Sequence, residues 1–145
     1  MSKDVASITS MNILVGLLLL SFISCHKSGV TVEKVEEAIK TEVPIGSSRE
    51  DALKFLDSYA FGQYRFKRGQ VIDLINDPNS LSMLLEYDNF DDKPKKLKDR
   101  LGGLVGAAIL DVERDPLTHT DIVLRLYFDK NGGLIDYTVK SQVSE

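Results

Sequence analysis

The stretch from Thr120 to Lys140 leaves this chain few ways to fold. From Thr120 to Phe128 the residues alternate: Ile122, Leu124, Leu126 and Phe128 point one way along an extended strand, and Val123, Arg125 and Tyr127 the other. Asp129-Lys130-Asn131-Gly132-Gly133 follows, a hairpin connection whose glycines tolerate positive φ. Leu134 to Lys140 is the return strand, with Ile135, Tyr137 and Val139 assigned to one face. A hairpin with one apolar face must bury that face. Upstream, Leu104 to Arg114 reads as a neighbouring strand of small and branched residues, joined through the loop Asp115-Pro116-Leu117-Thr118-His119. The three segments make an antiparallel meander.

The covering layer comes from the N-terminal side. Thr31 to Glu42 reads as a helix, with Val32, Val35 and Ile39 on one face and Glu33, Lys34, Glu37 and Lys40 elsewhere. Pro44 and Gly46 break the chain, and Ser47-Ser48-Arg49-Glu50 forms a capping box that opens a second helix running to Ser58. Its apolar face is Ala52, Leu53, Phe55 and Leu56. Between helices and meander the pattern is weaker. Gln63 to Phe66 and Gln70 to Ile75 read as short strands, Asn76-Asp77-Pro78-Asn79 as a turn, and Leu81 to Tyr87 as a short helix or apolar loop. Asp88 to Lys96 is charged, contains Pro94, and reads as an exposed loop, and Gly102-Gly103 closes the irregular stretch that begins at residue 61. The expected architecture is α+β, with N-terminal helices packed on one face of a small antiparallel sheet.

The N-terminus carries a different message. The apolar run Ile13 to Ser24 ends at Cys25, the only cysteine in the chain, so no internal disulfide is available to it. The run from Met11 to Ile23 is interrupted by Asn12, Gly16 and Ser21 and falls short of the about 20 apolar residues that span a bilayer. Its length suits the apolar core of an export signal. Phe22-Ile23-Ser24-Cys25 resembles the lipobox of bacterial lipoproteins, which implies cleavage before Cys25 and lipid attachment to its thiol. An ordinary secretory signal is the alternative, but Phe22 stands where such a signal needs a small residue. Residues 1–24 are therefore expected to be a lipoprotein signal peptide, residues 25–30 a lipidated tether, and residues 31–145 a single α+β domain. His26, rather than aspartate, follows the cysteine, which by the same resemblance favours the outer membrane.

The formal charge is −4, which argues against nucleic acid as a partner. No catalytic constellation emerges. His26 lies in the tether and His119 in a loop, and neither has a histidine or cysteine partner at helical spacing, so no metal or cofactor is assigned. Asp129-Lys130-Asn131-Gly132 begins like a calcium loop, but Leu134 occupies the place of the required glycine and Lys140 that of the bidentate glutamate. The basic run Lys93, Lys95, Lys96, Lys98 and Arg100 follows three aspartates and reads as a solvated loop. Tyr64, Phe66 and Arg68 combine aromatics with arginine in the least regular stretch, which makes them the candidate partner-binding residues. Completion of the core is the competing account of the two rings.

Two further pieces carry a resemblance. Pro44-Ile45-Gly46-Ser47-Ser48-Arg49-Glu50-Asp51-Ala52-Leu53 is similar to the helix start of the small outer-membrane assembly lipoproteins of the BamE/SmpA type, which the β-lactamase-inhibitor-protein fold shares. Leu124-Arg125-Leu126-Tyr127-Phe128-Asp129-Lys130-Asn131-Gly132-Gly133-Leu134 is similar to their terminal hairpin. The resemblance implies a non-enzymatic binding module, an accessory or assembly lipoprotein on the periplasmic face of the outer membrane. Its partners would be the membrane, through the lipid, and another envelope protein, with no small-molecule substrate. A periplasmic hydrolase inhibitor is the alternative function.

Overall fold

The computed structural model describes residues 29–145. Cys25 and the export-type run lie outside the described residues. Helix α1, Val32–Glu42, starts at Thr31, whose side chain accepts a hydrogen bond from the Lys34 N–H at 3.3 Å. It buries Val35, Ala38 and Ile39, while Val32 sits at the margin of the face. Helix α2, Arg49–Ser58, is capped one residue later than the sequence pattern suggested. Ser48, not Ser47, is the cap: its Oγ accepts from the Asp51 N–H at 3.1 Å and donates to the Asp51 carboxylate at 2.6 Å. Glu50 is left outside this exchange because the reciprocating acid sits three residues after Ser48.

A small hairpin follows, β1 (Ala60–Phe61) and β2 (Tyr64–Arg65), which turns over Gly62 at φ +62°. Four strands then build the main sheet: β3 (Lys67–Asp73), β4 (Leu101–Arg114), β5 (His119–Asp129) and β6 (Leu134–Ser144). They pair antiparallel in the order β3-β4-β5-β6, each strand beside its sequence neighbour. The meander and the helices before it are as the sequence pattern predicts, and the chain is α+β.

The inner face of the sheet lies under α1 and α2. Ile122, Leu124, Leu126 and Phe128 on β5 pack there with Val105, Ala107 and Ile109 on β4 and with Val35, Ile39, Phe55 and Leu56 of the helices. Leu124, Leu126 and Phe128 are each 0% exposed. The helices are also bonded to the far end of the chain. The Gly46 N–H donates to the Leu134 carbonyl at 2.7 Å, the Leu134 N–H to the Ser47 carbonyl at 2.8 Å, and the Arg49 N–H to the Gly132 carbonyl at 2.9 Å. Arg49 then reaches over Phe128, with its guanidinium carbon 5.5 Å from the ring centre. Gly103 leaves room for it: a Cβ there would lie 2.4 Å from an Arg49 nitrogen and 2.9 Å from the Ile72 carbonyl oxygen. Gly102-Gly103 thus does not end a loop but forms a buried part of β4.

Three features depart from the sequence reading. The register slips between Tyr127 and Phe128, so Phe128 pairs with Leu134 while Tyr127 pairs with Asp136. This bulge sends Ile135 to the outer face, and only Tyr137 and Val139 of the expected trio stay inward. Of the two readings of Leu81 to Tyr87 the helix holds, starting earlier at Pro78, and the charged stretch after it is more ordered than a loop. The two helices are α3 (Pro78–Tyr87) and α4 (Lys93–Leu97), the latter starting inside the segment Asp88 to Lys96 read as an exposed loop. Finally, Leu81 and Leu84 of α3 and Leu97 of α4 cover the outer face, packing with Ile72, Leu74, Leu101, Leu104, Tyr127 and Ile135. The sheet is therefore covered on both faces at this end, with the N-terminal helices on one side and the inserted pair on the other.

Candidate functional site: the clasp and groove on the outer face

The three residues selected from the sequence as binders do not act together. Phe66 is buried and packs on Phe55 and Phe61, with ring centres 5.5 Å and 5.7 Å away, so it belongs to the core and is not available to a partner. The aromatic density of this stretch is the inner-face core closing at its edge. Tyr64 is half-buried against the same cluster. Arg68 is accessible and lies 3.3 Å from the Asp57 carboxylate of α2. Cys25 lies outside the described residues.

The outer face carries the more developed polar architecture, built by the segment between α3 and α4. The Asp88 carboxylate pairs with Arg125 on β5, and both side chains are largely withdrawn from water, at 10% and 21% exposure. A desolvated pair of this kind fixes geometry more than it adds stability, because loss of either partner strands the other charge. Arg125 also lies 4.3 Å from the centre of the Phe90 ring, with Lys140 of β6 at 5.1 Å from it. The Lys140 ammonium donates to the Phe90 carbonyl. Asp91 accepts from the Tyr127 hydroxyl at 2.6 Å and from the Lys93 N–H at 2.8 Å. Lys93 pairs with Asp136 at 2.7 Å and donates to the Tyr137 carbonyl. Thr138 Oγ1 is buried nearby without a hydrogen-bond partner among the described residues.

These contacts form a clasp that ties residues 88–93 to β5 and β6. Burial pushes the Tyr127 phenol well above the ordinary tyrosine range, the adjacent Asp91 carboxylate pushes it further, and Arg125 partly opposes both. At neutral pH the hydroxyl is a fixed proton donor, not a titrating group. The clasp holds the end of α3 in place, and beside it runs a groove of about 490 Å³ lined by Ile72, Ser80, Met83, Leu84, Tyr87, Asp88 and Asn89. Met83 and Tyr87 stand on its border, 64% and 69% exposed. By register, Gly106 and Ala108 on β4 and Val123 on β5 share this outer face, so the sheet beyond the groove is paved with small side chains.

The groove is an open trough with an apolar floor and an ion-paired wall, which suits a segment of another macromolecule better than an enclosed metabolite. Sequence reasoning missed it because its parts come from α3, the clasp and strand β3. Phe90, an aromatic inside an otherwise charged stretch, was the one available signal.

Comparison with protein-family models, curated proteins and solved structures finds no match to this chain. Among the described residues no helix is long and apolar enough to cross a membrane.

Proposed function

We propose that this chain is an exported, lipid-anchored binding module of the bacterial cell envelope. It acts as an accessory or assembly lipoprotein, held through Cys25 on the periplasmic face of the outer membrane, and works by contact with another envelope protein rather than by catalysis. The observation that supports this most is the distance between the anchor position and the fold. Val30 is already 4% exposed and part of the core. Four residues, His26 to Gly29, lie between it and Cys25, a reach of at most about 18 Å at 3.3–3.6 Å per residue step. A domain tethered so tightly to a lipidated cysteine stays at the bilayer surface and meets partners there. The outer-face groove, bordered by Met83 and Tyr87, is the contact surface in this reading.

Metabolic labelling with a fatty acid tests the anchor. The wild-type chain should take up label and Cys25→Ser should not, while retaining residues 1–24. A wild-type chain without label overturns the lipoprotein reading. Crosslinking in intact membranes tests the surface. Met83→Ala and Tyr87→Ala should reduce partner capture with thermal stability unchanged, whereas Arg68→Ala, on the inner-face side of the sheet and bound to Asp57, should leave both unchanged. Undiminished capture by both groove variants would remove the groove from the interface.

A further inference from the structure

His119, read from the sequence as a loop residue, opens strand β5, and it has no histidine or cysteine partner at helical spacing. The fold supplies two carboxylate partners. His119 and Asp121 stand two residues apart on β5 and therefore share a face of the strand. On the neighbouring strand β4 the pairing slips between Ile109 and Glu113, leaving an irregular stretch opposite Asp121. Within it Asp111 takes φ +53°, and its backbone N–H donates to Asp121 Oδ1 at 2.8 Å. This bulge turns a residue distant in sequence toward the pair on β5. One ligand atom from each of Asp111, His119 and Asp121 then lies within 4.8 Å of the other two.

We propose that Asp111, His119 and Asp121 form a binding site for a divalent transition-metal ion of the zinc class. The donor set is one imidazole nitrogen and two carboxylates, a mixture that suits zinc and its neighbours. Calcium and magnesium favour more oxygens and no imidazole. One edge of the triangle is already close to what coordination needs, and the three ligand atoms, within 4.8 Å of one another, must draw together further around an ion. Ligands at about 2.0–2.2 Å from a tetrahedral ion stand about 3.3–3.6 Å apart, and the His119 Nε2 to Asp121 Oδ2 distance is 3.9 Å. A contraction of a few tenths of an ångström closes that edge. Asp121 Oδ1 is held by the Asp111 N–H, which orients Oδ2 toward His119 in the way that outer hydrogen bonds orient metal ligands. Among the described residues no lysine or arginine forms a salt bridge with either carboxylate, so no side-chain cation occupies the position the ion would take. Three protein ligands leave a fourth position open on the solvent side, because Asp111 is exposed.

The test uses the full-length chain, stripped of metal and titrated with Zn²⁺ by calorimetry and with Co²⁺ by visible absorption. One equivalent should bind saturably, and the cobalt spectrum should show tetrahedral bands. His119→Ala and Asp111→Asn should each weaken binding at least about tenfold, since loss of groups one shell further from a metal already costs about 10–100-fold. His26→Ala should leave the affinity unchanged, which separates this site from the other histidine in the chain. Zn²⁺ should raise the melting temperature of the wild type but not of His119→Ala. Circular dichroism confirms that the variants fold, and two ligand positions on different strands keep the test valid if one variant does not. Absence of saturable binding, or binding that survives His119→Ala in a folded protein, overturns the proposal.

Discussion

Replacing Tyr127 by Phe removes one atom from the clasp and leaves the ring's packing intact. The ring is 0% exposed, and its hydroxyl donates to the Asp91 carboxylate at 2.6 Å. Hydrogen bonds to charged groups contribute about 1.5–3 kcal/mol. Asp91 keeps the Lys93 N–H at 2.8 Å and stays half-exposed, so it is not stranded when the hydroxyl goes. The expected loss therefore lies near the lower end, about 1.5 kcal/mol. Asp91→Ala removes the same bond from the other side and leaves a buried hydroxyl unpaired, at a cost of about 1–3 kcal/mol. Urea unfolding of the two single variants and the double variant gives the coupling directly. It should be about 1–2 kcal/mol, and a value within about 0.5 kcal/mol of zero would mean that the two groups act independently and the clasp is not held by this bond.

The same variant has a pH signature. The folded state raises the Tyr127 pKa, so its contribution is constant below the unfolded tyrosine value of about 10 and is lost as pH rises beyond it. Wild-type stability should fall above about pH 10 more steeply than that of Tyr127→Phe. Parallel curves would refute the assigned cause.

Two further outcomes follow from the packing. Phe128→Ala empties a position that is 0% exposed and removes the surface under Arg49, so it should cost about 3–5 kcal/mol in urea unfolding; a cost under about 1 kcal/mol would mean the inner face is assigned wrongly. Gly103→Ala puts a methyl group 2.9 Å from the Ile72 carbonyl of a paired strand and against Arg49, and should destabilise by about 1–3 kcal/mol; an unchanged denaturation midpoint would show that Arg49 moves aside freely.

The parts of the fold legible in the sequence are those whose period is uninterrupted. β5 alternates cleanly from Ile122 to Phe128, and α1 and α2 present apolar residues at helical spacing, so their faces could be read off directly. Reading failed where residues were added to a ladder, one at Tyr127/Phe128 and two between Ile109 and Glu113. The bulge at Tyr127 and Phe128 reversed Ile135, and the irregular pairing around Asp111 placed that side chain beside His119 and Asp121. A bulge has no composition of its own, and only the pairing of two strands reveals it. The clasp was hidden for a related reason. Asp88, Asp91 and Lys93 look like solvated charges until Arg125, Tyr127 and Asp136 are brought beneath them from the C-terminal strands. Phe66 shows the converse error: aromatic residues beside arginine resembled an interface, but the chain used the ring to close its own core.

The hydrogen bonds between Gly46, Ser47, Arg49 and the turn at Gly132 to Leu134 set the order in which the chain can mature. The β5–β6 hairpin closes over a short loop and forms locally, whereas seating α2 requires the first and last thirds of the domain to meet. Contacts so distant in sequence carry a large loop-closure cost and slow the folding step that makes them. The inner-face core cannot be completed until Leu134 is present. A nascent chain that lacks its last hairpin therefore cannot complete this core, and commitment to the folded state waits for that hairpin to arrive.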